Sequence, residues 1–174
     1  MGQDAASIRH HCRNTNVGGN RFRTTRTMEN KIDIDEKLRR EWRGLGVYYE
    51  TDDDTREWKI YGDRKGIENL GTIIKEYSAK PENSQVSEHI HLGPYSYLKI
   101  MTWDRPLITT DFIAGTIDDL KKLSGLIKEK LKNTKTGDSF SIDKEFGDDN
   151  KAKITINVMA DNFDPVTMDE QLRV

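Results

Sequence analysis

A gapless internal repeat is the feature that most constrains how this chain folds. The segment KIYGDRKGIENLGTIIKEY at residues 59–77 aligns with FIAGTIDDLKKLSGLIKEK at residues 112–130, at a constant offset of 53 residues. Self-similarity at a fixed spacing indicates two copies of one supersecondary unit that share a core. We therefore expect a single domain over residues 28–174, with duplicated halves at about 46–99 and 100–159.

Each copy combines an alternating run, a glycine and a helical pattern. The glycines, Gly62 and Gly115, tolerate the sharp turn out of a strand. Apolar residues then recur every three or four positions, which predicts an amphipathic helix in each copy. Thr116 is placed to cap the second helix. The first stripe consists of Ile67, Leu70, Ile73, Ile74 and Tyr77, and the second of Leu120, Leu123, Leu126, Ile127 and Leu131.

The predicted fold class is α+β. We expect one largely antiparallel sheet of about seven strands, built from two ββαβ-type repeats, with the two helices on one face. Two smaller half-sheets related by a pseudo-twofold axis are the alternative. A short helix is expected at 34–43, and the tail from Asp161 is expected to be irregular. Alternation places strands near 46–50, 56–61, 86–92, 96–103, 107–113, 138–145 and 151–159.

Residues 1–27 differ in composition from the rest of the chain. They hold five Arg, no Lys and one acid, Asp4, for a formal charge of +4, and they lack apolar periodicity. Three interpretations stay open: a non-native leader, a native disordered basic arm, or an organelle transit peptide. A cluster of His10, His11 and Cys12 lies in this segment, and we interpret it as incidental.

Composition narrows the function classes. The net charge is −2 for the whole chain, and the 23 basic and 29 acidic residues after residue 27 give −6. This balance argues against nucleic acid and anionic membranes as partners. A single cysteine excludes an intrachain disulfide and suits a reducing, cytoplasmic compartment. No sequence run reaches the roughly 20 apolar residues of a membrane helix, and no motif calls for a cofactor.

The motif SEHIHLG at 87–93 supplies the candidate site. Alternate side chains of a strand share a face, so Ile90 and Leu92 are expected to face the helices while the histidines point to the opposite side. The following strand would add aromatic and sulfur side chains to that side. The expected helix-free face carries His89, His91, Tyr97, Met101 and Trp103, with Glu88, Lys99 and Asp104 at its edges.

Four interpretations of this face remain. It is an ordinary wet face of an antiparallel sheet, a partner-binding surface rich in aromatic residues and Met, a metal site, or a general-base site. A metal held by His89 and His91 needs a third ligand, such as the carboxylate of Glu50 or Asp111. No nucleophile elbow, phosphate loop or zinc-protease motif accompanies the histidines.

The strand, glycine turn and helix of YGDRKGIENLGTIIKEY, followed by SEHIHLG, resemble a group of small bacterial proteins. Some members of that group are assigned as immunity proteins of polymorphic toxin systems. The resemblance covers about residues 45–103. The second copy keeps the layout but is expected to place Asp143, Lys144 and Glu145 where the first has His89, Ile90 and His91.

The resemblance implies a non-enzymatic cytoplasmic protein that binds and neutralises a cognate toxin. The acidic body would suit a basic toxin as partner. The alternative is a small metal-binding domain or metal-dependent enzyme centred on His89 and His91. A third hypothesis is a structural domain whose duplicated halves mediate homodimerisation.

Overall fold

The computed structural model describes residues 21–173, without the side chains of residues 21–32 and 96. The chain divides between Ile34 and Asp35, and every strand belongs to the unit that begins at Asp35. In chain order the elements are α1 (Arg21–Leu45), β1 (Val47–Asp52), β2 (Glu57–Gly62), α2 (Arg64–Ala79), β3 (His89–Leu92), β4 (Leu98–Thr102), β5 (Leu107–Ile108), β6 (Ile113–Gly115), α3 (Ile117–Asn133), β7 (Ser139–Ser141), α4 (Asp143–Phe146) and β8 (Lys153–Val158).

Within residues 21–173 the strands form two four-stranded sheets, which we call the first and the second sheet. The first sheet has the order β1-β2-β8-β7 and the second the order β3-β4-β6-β5. In both, the central pair is parallel and each edge strand is antiparallel to its neighbour. The α+β class is confirmed. The prediction of a single, largely antiparallel sheet of about seven strands is wrong. The alternative of two smaller sheets agrees with the observed number of sheets.

Two of the expected strands are interrupted in the structure. The run 107–113 contains a hairpin turn, because the Thr109 hydroxyl accepts hydrogen bonds from the amides of Asp111 and Phe112, both at 3.1 Å. The run 138–145 ends as a strand at Ser141 and continues as the short helix α4, which buries Phe146. Both interruptions depend on local side-chain bonding or burial that alternation of apolar residues does not report.

Helix α1 is longer than expected. It runs from Arg21 to Leu45, whereas periodicity marked only 34–43. Its first residues fall inside the compositionally distinct segment 1–27, and the rest of that segment, residues 1–20, lies outside the described residues, as do the incidental histidines and cysteine. Leu38 and Trp42 both pack against the core, and Trp42 is 2% exposed.

Helices α2 and α3 begin where the sequence indicated. The Asp63 carboxylate accepts from the amide of Gly66 at 2.8 Å and caps α2. Thr116 caps α3 in a reciprocal capping box with Asp119, which confirms its expected role. The helices contact each other, and the hydroxyl of Ser124 donates to the carbonyl of Gly71 at 2.7 Å.

One core lies between the two helices and the inner faces of both sheets. Its side chains are apolar and come mainly from α2, α3 and the central strands of each sheet, with further residues from α1, α4, the edge strands and the C-terminal segment. We call the opposite face of each sheet its outer face. The side chains that meet at the centre of this core are those of Ile60, Leu70, Ile74, Leu98, Ile100, Ile113, Leu123, Ile127, Ile142, Ile154 and Ile156.

The two sheets repeat one pairing register. In the first sheet, Ile156 pairs with Ile60 on one side and with Phe140 on the other. In the second sheet, Ile100 pairs with Ile113 on one side and with Ile90 on the other. Positions that match in this way are called register-equivalent below. They make Ile100 equivalent to Ile156, and Ile90 equivalent to Phe140.

Each sheet therefore takes one hairpin from each half of the chain. The order β1-β2-α2-β3-β4 recurs as β5-β6-α3-β7-β8, with α4 inserted between β7 and β8, so each half is a ββαββ unit and not the expected ββαβ-type repeat. The duplication itself remains a prediction. The two halves differ in length between their first two strands, because ten residues separate the paired Tyr49 and Ile60 whereas four separate the paired Ile108 and Ile113.

Candidate functional site

The pairing of β3 with β4 places the two histidines of the motif on the outer face of the second sheet. His89 lies opposite Met101, and His91 lies opposite Lys99. The imidazole centroids are 5.0 Å apart with the rings nearly perpendicular, at 86°. Nδ1 of His89 lies 2.8 Å from the carbonyl oxygen of Ser87. Both histidines are exposed, so this part of the strand presents two imidazoles to solvent.

The rest of this outer face is more apolar. Met101 lies next to Ala114, which in turn lies opposite Leu107. Nζ of Lys99 lies 5.4 Å from the centroid of the Phe112 ring, within the range of a cation–π contact. We call the group the histidine face. It consists of His89, His91, Lys99, Met101, Leu107, Phe112 and Ala114 on the strands and the turn before β6, with Trp103 at its end.

The other predicted residues take different positions. Trp103 is half-buried and follows β4, whose pairing it extends by donating its amide to the Gly115 carbonyl at 2.9 Å. Met101 is only 8% exposed, so little of it is accessible to a partner. Glu88 and Asp104 are both exposed and lie at the same end of this strand pair, where β3 begins and β4 ends. The structure therefore brings His89 and Met101 into direct register, with the charged edge residues nearby in sequence.

Tyr97 lies in a different group. It precedes β4 and follows a short 3₁₀ turn, so strand alternation does not decide its direction. Its ring is 67% exposed and stacks on Tyr95, with centroids 5.7 Å apart and planes 28° apart. Tyr95 has a left-handed backbone with a φ of 64°, which is uncommon for a bulky residue. The pair forms one wall of a cleft that the sequence analysis missed.

This aromatic cleft has a volume of about 550 Å³. Trp42 lies 5.0 Å from Tyr48 and 6.5 Å from Tyr95, measured between ring centroids. The aromatic rings come from α1, β1 and the turn before β4, and the remaining residues come mainly from β1 and the C-terminal segment. The cleft is lined by Trp42, Tyr48, Tyr49, Glu50, Thr51, Tyr95, Tyr97, Met168, Asp169, Glu170, Gln171 and Arg173.

A buried carboxylate organises the cleft. Asp169 is 4% exposed and accepts hydrogen bonds from the indole of Trp42 at 2.7 Å and the hydroxyl of Tyr95 at 2.9 Å. Its second oxygen accepts from the Gln171 amide at 2.9 Å. Burial, and then the bond to Asp169, raises the pKa of Tyr95 well above its ordinary value. The phenol is thus the donor in its hydrogen bond to Asp169.

Hydrogen bonds of the buried Tyr49 hydroxyl fix the turn that carries Tyr95 and Tyr97. The Tyr49 hydroxyl donates to the carbonyls of Leu92 at 2.6 Å and Pro94 at 3.1 Å, and accepts from the amide of Leu98 at 3.3 Å. Burial raises the pKa of Tyr49 to about 12. The strand β1 thus anchors both ends of the loop that joins β3 to β4.

The signals for the cleft were present in the sequence but weak. The run GPYSY at 93–97 combines a glycine, a proline and two tyrosines, which indicates a tight aromatic turn. Asp169 lies in the tail after Asp161, which was expected to be irregular and which contains two short 3₁₀ turns. Nothing in these patterns indicates that the tail meets the turn, because the contact spans 74 residues.

The register also corrects the expected counterpart of the histidine motif. Asp143, Lys144 and Glu145 lie in helix α4, outside the strand. Because Phe140 is equivalent to Ile90, the histidines correspond to Ser139 and Ser141 of β7. The second half of the chain therefore has hydroxyls where the first half has imidazoles.

The metal interpretation finds no third ligand in the described part of the chain, where no group of three or more His, Cys, Asp or Glu side chains is arranged to hold an ion. Glu50, suggested as a ligand, lies on the first sheet and accepts from the Tyr61 hydroxyl at 3.2 Å. None of the helices among the described residues has the length and hydrophobicity needed to cross a bilayer.

Comparison with known proteins adds no further assignment. No family model, no curated protein and no solved structure matches this chain.

Proposed function

We propose that the protein is a non-enzymatic protein-binding domain of the immunity type, which neutralises a cognate bacterial toxin by occupying one of its surfaces. The observation that carries the proposal is the contrast between the register-equivalent outer faces. Where the edge strand of the second sheet presents the exposed imidazoles of His89 and His91, the edge strand of the first presents the hydroxyls of Ser139 and Ser141. Aromatic residues are enriched at the centres of protein interfaces, and Phe112 and Trp103 are the partly exposed aromatic residues of the histidine face.

Charge supports the choice of partner. Residues 28–174 carry a formal charge of −6, and Glu88 and Asp104 are exposed beside the histidine face. Such a field accelerates encounter with a basic protein and disfavours acidic ones. Neutralisation requires affinity and complementary shape, so the proposal assigns no catalytic residue.

The test is capture of a partner with a matched pair of variants. Tagged wild-type protein would be incubated with extract of the source organism, beside a His89→Ala/Trp103→Ala variant. The control is Ser139→Ala/Asn157→Ala, because Ser139 is register-equivalent to His89 on the other sheet. We expect wild type and control to retain the same protein and the histidine-face variant to lose it. Thermal unfolding would establish that all three proteins are folded.

The captured protein then decides between binding and immunity. We expect it to inhibit growth when it is expressed alone and to be harmless when co-expressed with this chain. Trp103→Ala should weaken the complex by about 2–4 kcal/mol if this residue is a hot spot. An unchanged dissociation constant with an intact fold would remove the histidine face as the interface. If the captured protein is a second copy of this chain, homodimerisation would replace immunity as the proposed function.

A metal-binding domain at His89 and His91 remains the rival proposal, favoured by the 5.0 Å separation of the two imidazoles. Histidines two residues apart on a strand are able to share one ion, but a zinc site takes three or four protein or solvent ligands. The rival predicts a bound divalent ion with a further ligand within about 2.2 Å of it.

A further inference from the structure

The aromatic cleft is a concave site that the proposed function does not use. It shares none of its lining residues with the histidine face, and its volume of about 550 Å³ suits a side chain or a small molecule. Trp42, Tyr48, Tyr95 and Tyr97 supply its rings, while Glu50, Asp169 and Glu170 supply carboxylates.

The walls of the cleft are held in place before any ligand arrives. Tyr95 keeps a left-handed backbone, and its hydroxyl and ring are both fixed, by Asp169 and by Trp42 and Tyr97. Backbone conformations of this kind persist where surrounding contacts determine them, and they cluster at functional sites. Tyr97 remains 67% exposed despite its stacking. The outer ring of the cleft is therefore ordered and accessible.

The charge of the cleft favours one class of ligand. Aromatic rings carry a negative face that attracts ammonium and guanidinium groups. The buried carboxyl group of Asp169 accepts from the Tyr95 hydroxyl, and Glu50 and Glu170 add carboxyl groups to the lining of the cleft. Arg173 also lines the cleft, but Nε donates to the Thr167 carbonyl at 2.9 Å and its guanidinium lies 3.9 Å from Glu170. The basic group is thus engaged with its own segment.

We propose that the aromatic cleft binds an organic cation, a guanidinium or alkylammonium group, with Tyr97 and Tyr95 as the aromatic wall and Glu50 as the accessible counter-charge. The group is a side chain of a partner protein or a free small molecule, since both present the same chemistry. This inference stands without the proposed function, because its test uses small probes and needs no protein partner.

The test is a titration of the full chain followed by ¹H–¹⁵N NMR. The probes are N-acetyl-arginine amide, its uncharged isostere N-acetyl-citrulline amide, and tetramethylammonium. We expect the arginine probe to shift resonances of the cleft with a dissociation constant in the millimolar range, on the order of that of a small cation–π site. Citrulline amide should cause no saturable shift at the same concentrations. Binding of tetramethylammonium as well would indicate a free cation as ligand, and binding of arginine alone a peptide side chain.

Matched variants identify the wall. Tyr97→Ala removes an exposed ring and should weaken binding of the arginine probe roughly fivefold or more, whereas Tyr97→Phe keeps the ring and should retain it. Ser139→Ala, on the β7 edge outside the cleft, should leave the dissociation constant unchanged. Equal binding of the citrulline probe, saturable shifts located away from the cleft, or an unchanged constant in Tyr97→Ala would each overturn the proposal.

Discussion

The outer faces of the two sheets differ far more than their inner faces. On the inner faces, Ile60 and Ile156 of the first sheet have isoleucines at the equivalent positions of the second. On the outer faces, Ser139 and Asn157 pair across the first sheet where His89 and Met101 pair across the second. The same strand pairing therefore carries similar apolar side chains on the inner faces and two different surfaces on the outer faces.

The outer face of the first sheet bonds mainly to itself. Nζ of Lys59 lies 3.4 Å from the Asp52 carboxylate, and the hydroxyl of Thr155 donates to Glu57. Such cross-strand pairs satisfy a wet face. At the register-equivalent edge of the second sheet lie the two exposed imidazoles. Side chains at inner positions are surrounded by helices and strands. Close packing therefore restricts these positions to apolar residues of matching volume. Exposed outer positions, such as those of His89 and His91, carry no such restriction and are free to serve function.

The largest expected effect tests the equivalence of the inner faces. Ile100→Ala and Ile156→Ala remove register-equivalent side chains that are both 0% exposed. Each should lower the free energy of unfolding by about 3 kcal/mol, because each leaves a cavity between the helices and a sheet. Urea denaturation measures both. If the two decreases in unfolding free energy differ by more than about 2 kcal/mol, the two halves do not contribute equally to the stability of the core.

The second prediction concerns an edge position at which the sheets differ. Tyr49 is register-equivalent to Ile108, but its hydroxyl also bonds to the loop before β4. Tyr49→Phe should lower the free energy of unfolding by about 1–2 kcal/mol, because buried backbone groups of that loop lose their partner. Ile108→Val, which removes one methylene and no hydrogen bond, is the control.

Tyr49→Phe should also raise amide exchange at Leu98, whose N–H bonds to the hydroxyl, whereas Ile108→Val should not. A variant with wild-type stability and exchange would show that the loop does not depend on this bond.

A smaller effect of pH belongs to the first sheet. The pKa of Asp52 is lowered from its ordinary value of 3.8, first because the Thr55 amide donates to it at 2.9 Å and then because Lys59 lies nearby. A carboxyl with a lowered folded pKa contributes stability that is present above the ordinary value and is lost as pH falls through the folded value. The thermal midpoint of Asp52→Ala should therefore lie slightly below wild type at pH 7, and the gap should close below about pH 3.8. A gap that stays constant down to pH 2 would contradict this account.

The smallest expected effect is on zinc binding. Calorimetric titration of the full chain and of its His89→Ala/His91→Ala variant should give the same isotherm, because two imidazoles do not complete a zinc site. Both proteins keep His10, His11 and Cys12, so any difference belongs to the histidine face. A tight one-to-one isotherm lost in the variant would favour the metal-binding rival. Ser139→His/Ser141→His would then show whether an edge-strand pair is sufficient.

Much of the local structure was predictable from the sequence. The apolar stripes marked α2 and α3, and Ile67 and Leu120 are each 0% exposed on the faces that the stripes predicted. Thr116 forms the expected cap. Alternation placed His89 and His91 on one side of their strand. These features depend on residues close in sequence, and periodic burial of one face leaves a direct record of them.

Long-range pairing was decided by the tertiary structure alone. Alternation shows which side chains are buried but not which strands pair, so the parallel pairing of β2 with β8 had no signal in the sequence. The same holds for Asp169, which meets Tyr95 and Trp42 only because the C-terminal segment returns to the turn before β4. The sequence by itself determined helices α2 and α3, the Thr116 cap and the side of β3 on which the two histidines lie. The two-sheet architecture, the contrast between the outer faces and the aromatic cleft arose only when distant segments packed around one core.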